Sequence, residues 1–251
     1  MFLIIAFSVH LVALDTYQEP KGKAKGNSNA NGAVSFARYT LFSSDGFSFF
    51  LSPEVIRAKD LAEEFKSMAP KFTGELVEKL PKKLVTRFRG VKVFVELSVS
   101  NNDSNPAHYL GFIGNRTARE LRTAKLVDGN RVIIPEKVNS VEITHLRRVL
   151  KDFKHPILLL HEFAHYYHDQ VLGQEDQFVK SAYNQAKERK IYPSDSHAMS
   201  NHREYFAELT GVFFYPTYQN FFNTLQSFKE KDPQGYAMIL SAYKIKDPDF
   251  K

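Results

Sequence analysis

Two histidines and a glutamate, at a spacing that suits a metal ion, carry the strongest chemical signal in this sequence. His161-Glu162-Phe163-Ala164-His165 reads HExxH within "ILLLHEFAHYYHD". On an α-helix, residues four apart share a face and lie about 6 Å apart along the axis, so two imidazoles there can converge on one ion. Glu162 projects beside them and can reach a water on that ion, the position of a general base. The chain has no cysteine, so any ion must be held by His, Asp or Glu.

A catalytic zinc site takes three protein ligands and keeps one position open. The residues that follow His165, "YYHDQVLG", do not supply the third through a GxxH extension. His168 falls about 10 Å beyond His161 along a helix, too far to share the ion, and reads as packing or support behind the ligands. Asp169 reads as a helix-end charge. A better source is "NHREYFAEL", where Glu204 and Glu208 lie four apart on one helical face. One can ligate the ion, and the other can hydrogen-bond the far nitrogen of a ligating histidine and fix its tautomer. Tyr205, Phe206 and Ala207 make that helix largely apolar, so both acids need a reason to be there.

"HEFAHYYHD" followed by "SHAMSNHREYFAEL" resembles the catalytic domains of anthrax-lethal-factor-like zinc metallopeptidases, a clan that includes the Pro-Pro endopeptidases. It looks most like a group of secreted bacterial metallopeptidases within that clan. The match is strong over 161–209 and looser over 90–245. The resemblance implies a zincin-like domain that hydrolyses a peptide or protein substrate. It also implies one catalytic zinc held by His161, His165 and Glu204, with Glu162 as general base and Glu208 supporting a ligand.

One position departs from the family pattern. A tyrosine that donates to the tetrahedral oxyanion is expected seven residues before the ligand glutamate, and here that residue is His197. An imidazole N–H can do the same work. The alternatives are a catalytically impaired zinc-binding module, a fourth ligand that closes the site, or replacement by Tyr192 five residues earlier. A di-iron carboxylate reading also competes, with Glu142/His145 and Glu162/His165 as ExxH pairs beside Glu204 and Glu208. It leaves His161 without a role and wants the two acids on separate helices.

The elements that must position these residues form a mixed first half and a helical second half. "VSFARYTLF" and "FSFFLS" flank "SSDG" as a hairpin. Ser52 and Pro53 open a helix over "SPEVIRAKDLAEEFKSM", and "TGELVEKL" and "PKKLVTRF" read as further helical pieces. "VKVFVEL" and "RVIIP" read as strands, and "VSNNDSNPAHYLGFIGNRT" reads as loop. From residue 140 the pattern is helical. Its segments are "SVEITHLRRVLKDF" capped by Ser140, the run from Pro156 through the HExxH motif, "QEDQFVKSAYNQAKER", "NHREYFAELTGVFF" capped by Asn201, "YQNFFNTLQSF" and "DPQGYAMILSAY". The expected class is α+β: a small N-terminal mixed sheet with helices, then a helical half carrying the HExxH helix.

Phe2 to Leu14 is an apolar run with the length of a signal-peptide core and too short to span a bilayer comfortably. No Lys or Arg follows Met1, the cleavage site at Leu11-Val12-Ala13 is poor, and a buried strand is the alternative. The expectation is a signal peptide at 1–14, a flexible linker at 15–33 and one catalytic domain at 34–251, in a secreted, extracellular or periplasmic protein. The net charge is +6 and the pI near 9.2. The lysines and arginines are spread along the sequence without a nucleic-acid motif. They read as a solvated surface on a monomer, with no nucleic-acid partner and no stable membrane insertion.

Overall fold

Alternating aromatic residues around Asp45-Gly46 set the first hairpin. The structure, a computed structural model, describes residues 36–98, 106–111, 126–128, 131–133, 135–152, 156–218 and 221–247; the expected signal peptide and linker lie outside them. Strands β1 (Thr40–Ser44) and β2 (Phe47–Leu51) pair antiparallel through Asp45 at φ 48° and Gly46 at φ 82°. Two positive φ values in a two-residue loop match the twist of the strands. Ser52 then accepts from the Val55 N–H at 3.4 Å and caps α1 (Pro53–Arg57).

The helix expected over 52–68 breaks at Ala58 into α1 and α2 (Lys59–Lys79), and α2 runs on through Pro70 into the separate piece expected at 73–80. An interior proline removes a hydrogen bond and costs about 3 kcal/mol. Its apolar stripe continues on both sides of the exposed Pro70, with Ala62, Phe65 and Ala69 before it and Phe72 and Leu76 after it, all buried. That burial outweighs the break. Next come α3 (Lys82–Arg89), β3 (Lys92–Val95), β4 (Ala107–Tyr109), a separate hairpin of β5 (Leu126–Asp128) with β6 (Arg131–Ile133), and β7 (Val141–Ile143). The helical half holds α4 (Leu146–Asp152), α5 (Ile157–Tyr167), α6 (Gln177–Glu188), α7 (His202–Phe214), α8 (Leu225–Lys231) and α9 (Pro233–Tyr243).

The main sheet has the order β1-β2-β3-β7-β4, with β2, β3 and β7 parallel and the outer pairs antiparallel. Its register sorts the side chains by face, as the two-residue period of a strand requires. Leu51, Val95, Ile143 and Ala107 form one row toward the main core, and Phe49, Val93 and Val141 form its neighbour. The opposite face carries Phe50, Phe94 and Glu142 across adjacent strands. There Phe50 and Phe94 join Tyr39 in a small second cluster, while Lys137 holds both Glu142 and Glu96 at 2.5 Å.

This arrangement corrects the helix expected over 140–153. Val141 to Ile143 is the strand between β3 and β4, and the helix begins only at Leu146. Val141 and Ile143 fill the core rows while Glu142 finds Lys137 on the other face, so strand pairing prevails over local helical tendency. Ser140 does not cap a helix; its hydroxyl donates to the Lys137 carbonyl at 2.6 Å. Likewise Ala107–Tyr109, expected as loop, is an edge strand, and in "YQNFFNTLQSF" only Leu225 onward is helical, capped by Thr224.

The helix that carries HExxH is clamped on one side by stacked rings. Phe163 is fully buried between Phe88 at 4.9 Å and Phe47 at 5.9 Å, both nearly parallel to it. Tyr167 packs edge-on to Phe88, and its hydroxyl donates to the Ala242 carbonyl at 2.9 Å. Phe163→Ala should therefore lower unfolding free energy by about 3–5 kcal/mol, read from the urea midpoint with the slope unchanged.

Candidate metal centre

Two helices bring the candidate ligands together. In α5, His161 and His165 sit one turn apart, and Phe163 projects to the opposite side into the ring stack. In α7, Asn201 caps the helix by accepting from the Arg203 N–H at 2.9 Å and the Glu204 N–H at 3.0 Å. That cap fixes the first turn and places Glu204 where the helix dipole favours a carboxylate. Leu209, Val212 and Phe213 bury the rest of α7 in the core.

His161 Nε2, His165 Nε2 and Glu204 Oε2 lie 3.1 Å from one another along all three edges. Hydrogen bonds alone cannot satisfy this triangle. Each imidazole nitrogen carries at most one proton, and a proton directed along one edge leaves another edge with facing lone pairs or facing N–H groups. A cation with all three atoms as donors satisfies every edge. Ligands spread tetrahedrally at 2.0–2.2 Å from an ion are separated by about 3.3–3.6 Å, close to the spacing observed. Glu208 Oε1 lies 3.5 Å from His161 Nδ1, on the side away from the triangle, and 3.0 Å from His197 Nδ1.

The charge around the triangle also favours a cation. Burial opposes a proton on His161, yet its Glu204 contact and the charges of Glu162, Glu208 and Glu204 push its pKa up to about 9. Burial likewise opposes the Glu204 carboxylate, but contacts with His161 and His165 hold it well below the usual range. Glu208 is lowered despite burial by its His197 contact and by the charges of His161 and His197. Glu162 is buried one residue from His161.

His197 occupies a three-residue turn, His197–Met199, pinned where Tyr183 donates to the Met199 carbonyl at 2.9 Å. Its ring stacks on His161 at 5.5 Å, and its Nε2 is 3.5 Å from Glu204 Oε2. With its side chain 56% exposed, it stands at the solvent edge of the cluster. Among the described residues, two groups of His and acid could hold a metal: His161, His165 and Glu204, and His161, His197 and Glu208.

Other residues singled out by sequence lie apart from the triangle. Glu142 sits on β7 with Lys137, and His145 contacts Ser98 at 3.3 Å, so that ExxH pair is not brought to the cluster. Tyr192 is buried, and its hydroxyl donates to Asp232 at 2.8 Å. Asp169, read as a helix-end charge, instead accepts from Tyr109 at 2.7 Å and from Gln170 and Gln174 at 2.8 Å, tying β4 to the turn after α5. Asp232 accepts from Tyr192 and Tyr205 and caps α9 through the Gly235 N–H. Its capping role is legible in "DPQG", but its tyrosine partners come from distant sequence.

His168 opens a π-helical turn, His168–Leu172, and is fully buried. Neither ring nitrogen has a hydrogen-bond partner, and the ring packs on Phe206 at 5.2 Å and edge-on to His202 at 5.7 Å. Burial, then the charges of His202, His165 and Arg203, push its pKa down to about 3. Above about pH 6.5 both folded and unfolded chains carry it neutral; below that the unfolded chain takes the proton first, so stability falls by about 1.4 kcal/mol per unit. The loss runs from about pH 6.5 down to the folded pKa near 3. His168→Phe should remove this slope, measured as the difference between wild-type and variant urea unfolding free energies between about pH 6.5 and pH 4. No protein-family model matches the chain, and no curated protein or solved structure matches it either.

Proposed function

We propose that this protein is a zinc-dependent metalloendopeptidase with a zincin-like domain. The observation that carries the reading is the triangle of His161, His165 and Glu204, set 3.1 Å on each edge, with buried Glu162 adjoining it. The resemblance of 161–209 to lethal-factor-like metallopeptidases supports it. A nitrogen-rich donor set with one carboxylate and an open position suits zinc. Bound there, zinc would polarise a scissile carbonyl and lower the pKa of a water toward about 7.

Each residue then has a task. Glu162 takes the water's proton and returns it to the leaving amine. Glu208 holds the far nitrogen of His161 and so fixes the tautomer that leaves Nε2 as a donor atom. His197 stands where a donor to the developing oxyanion is needed. Its Nδ1 is engaged by Glu208, and that contact together with the charge of Glu204 raises its pKa against the effect of burial. A ring protonated on both nitrogens keeps an Nε2–H free to donate. One observation favours a second reading, a zinc-binding module with little activity: His197 Nε2 is only 3.5 Å from Glu204 Oε2, close enough to compete for the open position.

Glu162→Ala should keep one zinc per chain by metal analysis and lose about 10²–10⁴-fold in peptide cleavage, whereas Glu204→Ala should lose the metal itself. Undiminished cleavage by the Glu162 variant sinks the mechanism. His197 separates the two readings. As an oxyanion donor, its replacement by Ala should lower kcat by about 10²–10³-fold with zinc retained. If it instead blocks the open position, His197→Ala or His197→Tyr should raise cleavage. A peptide-library screen on metal-quantified protein provides the assay.

A further inference from the structure

The positive charge is not evenly distributed once ion pairs are set aside. Between Lys79 and Lys92 the chain carries six cations, Lys79, Lys82, Lys83, Arg87, Arg89 and Lys92, and no Asp or Glu. All six are exposed, and none forms an ion pair with a described residue. Their number equals the net charge of the whole chain, +6. Leu84, Val85 and Phe88 bury one side of α3, which leaves Lys82, Lys83, Thr86, Arg87 and Arg89 on its outer side.

Rings rather than acids orient these cations. Lys79 lies over Tyr215 at 5.4 Å, Arg87 over Tyr167 and Arg89 over Phe47 at 5.9 Å, and Lys92 over Phe36 at 5.1 Å. Such contacts steady the side chains without cancelling their charge. The neighbouring acid in the hairpin, Asp45, is engaged by Thr73 at 2.5 Å and Ser44 at 3.3 Å.

We propose that the face formed by Lys79 to Lys92 docks the protein on anionic lipid bilayers. Each Lys or Arg near an anionic leaflet contributes to adsorption, and four to eight of them make a recognisable patch. Val77, one of two large hydrophobic residues exposed among those described, lies in the last turn of α2 two residues before Lys79, with exposed Glu78 between them, and can enter the headgroup boundary. Single-stranded nucleic acid needs exposed rings on which bases can stack, and the rings under Lys79, Arg87 and Arg89 are buried. Placement agrees with docking. Phe88 of α3 stacks on Phe163, which points away from His161 and His165 by roughly half a helical turn. The cationic face therefore lies behind the HExxH helix, and a bilayer held there leaves the ligand side open to substrate.

The test is sedimentation of the full-length protein with phosphatidylcholine vesicles, with and without phosphatidylserine. Wild type should partition onto the phosphatidylserine vesicles and be released by salt. The triple variant Lys82→Gln/Lys83→Gln/Arg87→Gln should bind about a hundredfold more weakly, near fivefold per cation. Lys79→Gln/Lys92→Gln, which leaves α3 untouched, should lose about 25-fold. Both variants should keep the wild-type circular dichroism and metal content. No partition by wild type overturns the proposal, as does equal binding by both variants, which would assign adsorption to the lysines at 21–25. Tighter binding to duplex DNA than to phosphatidylserine vesicles would overturn it as well.

Discussion

Three atoms held 3.1 Å apart on two different helices are the constraint on which the rest of the architecture turns. With no cation between them, at least one edge of the triangle is a contact between like partners, so local chemistry would drive the side chains apart. The scaffold has to hold them in place from outside. α5 is held by the stack of Phe47, Phe163 and Phe88, by the Tyr167 hydroxyl on α9, and by Asp169 on the Tyr109 hydroxyl of β4. α7 is held by its Asn201 cap and by Tyr205, which donates to Asp232 at the start of α9 at 2.6 Å. Each support acts on a face other than the one that carries the ligands. The ligand side is thereby left polar and open at His197.

The sheet supports the centre at one remove. Its core-facing rows present Val93, Val95, Val141 and Ile143, and β2 sends Phe47 to the ring stack under the HExxH helix. A slip of β3 by one residue against β2 and β7 would exchange the two faces of β3. Phe94 would then meet the core, and Val93 and Val95 would meet the side of Lys137. The buried Glu96–Lys137–Glu142 group opposes that slip, because a lysine bound to two carboxylates cannot be exchanged for a valine row without stranding charge. Register in the sheet and position in the metal centre are linked through Phe47.

The centre was more legible in sequence than the sheet, for a physical reason. HExxH and the Glu204/Glu208 pair are local patterns on helices, where spacing alone fixes which side chains share a face. The caps at Ser52 and Asn201 are local in the same way and appear where read, whereas Ser140 caps no helix. The stretch that holds β7 has a helical pattern in sequence, because "SVEITHLRRVLKDF" offers a usable cap and apolar residues at helical intervals. What makes it a strand is the presence of β3 and β4 on either side, and neither is encoded nearby. Pro70 misled in the opposite direction: it looks like a helix end, but the apolar stripe of α2 passes it. Asp169 and His168 differ in environment although they are adjacent. One receives three hydrogen bonds, including one from Tyr109 sixty residues away, and the other has none, and a partner so distant leaves no local trace.

His197 is where local reading stops and geometry adds content. In sequence it is a substitution, a histidine where a tyrosine is expected. In space it shares one carboxylate with His161, because Glu208 Oε1 is 3.0 Å from His197 Nδ1 and 3.5 Å from His161 Nδ1. A phenol could not use Glu208 and still keep its only O–H for substrate. An imidazole has a second nitrogen, so engaging Glu208 on Nδ1 costs nothing at Nε2. One acid therefore faces two imidazoles, His161 in the cluster and His197 at the solvent edge. Glu162 is set differently, buried beside His161 and independent of that link. A buried acid beside His161 and an imidazole at the solvent edge are thus positioned separately, one by a helix and the other by a short turn.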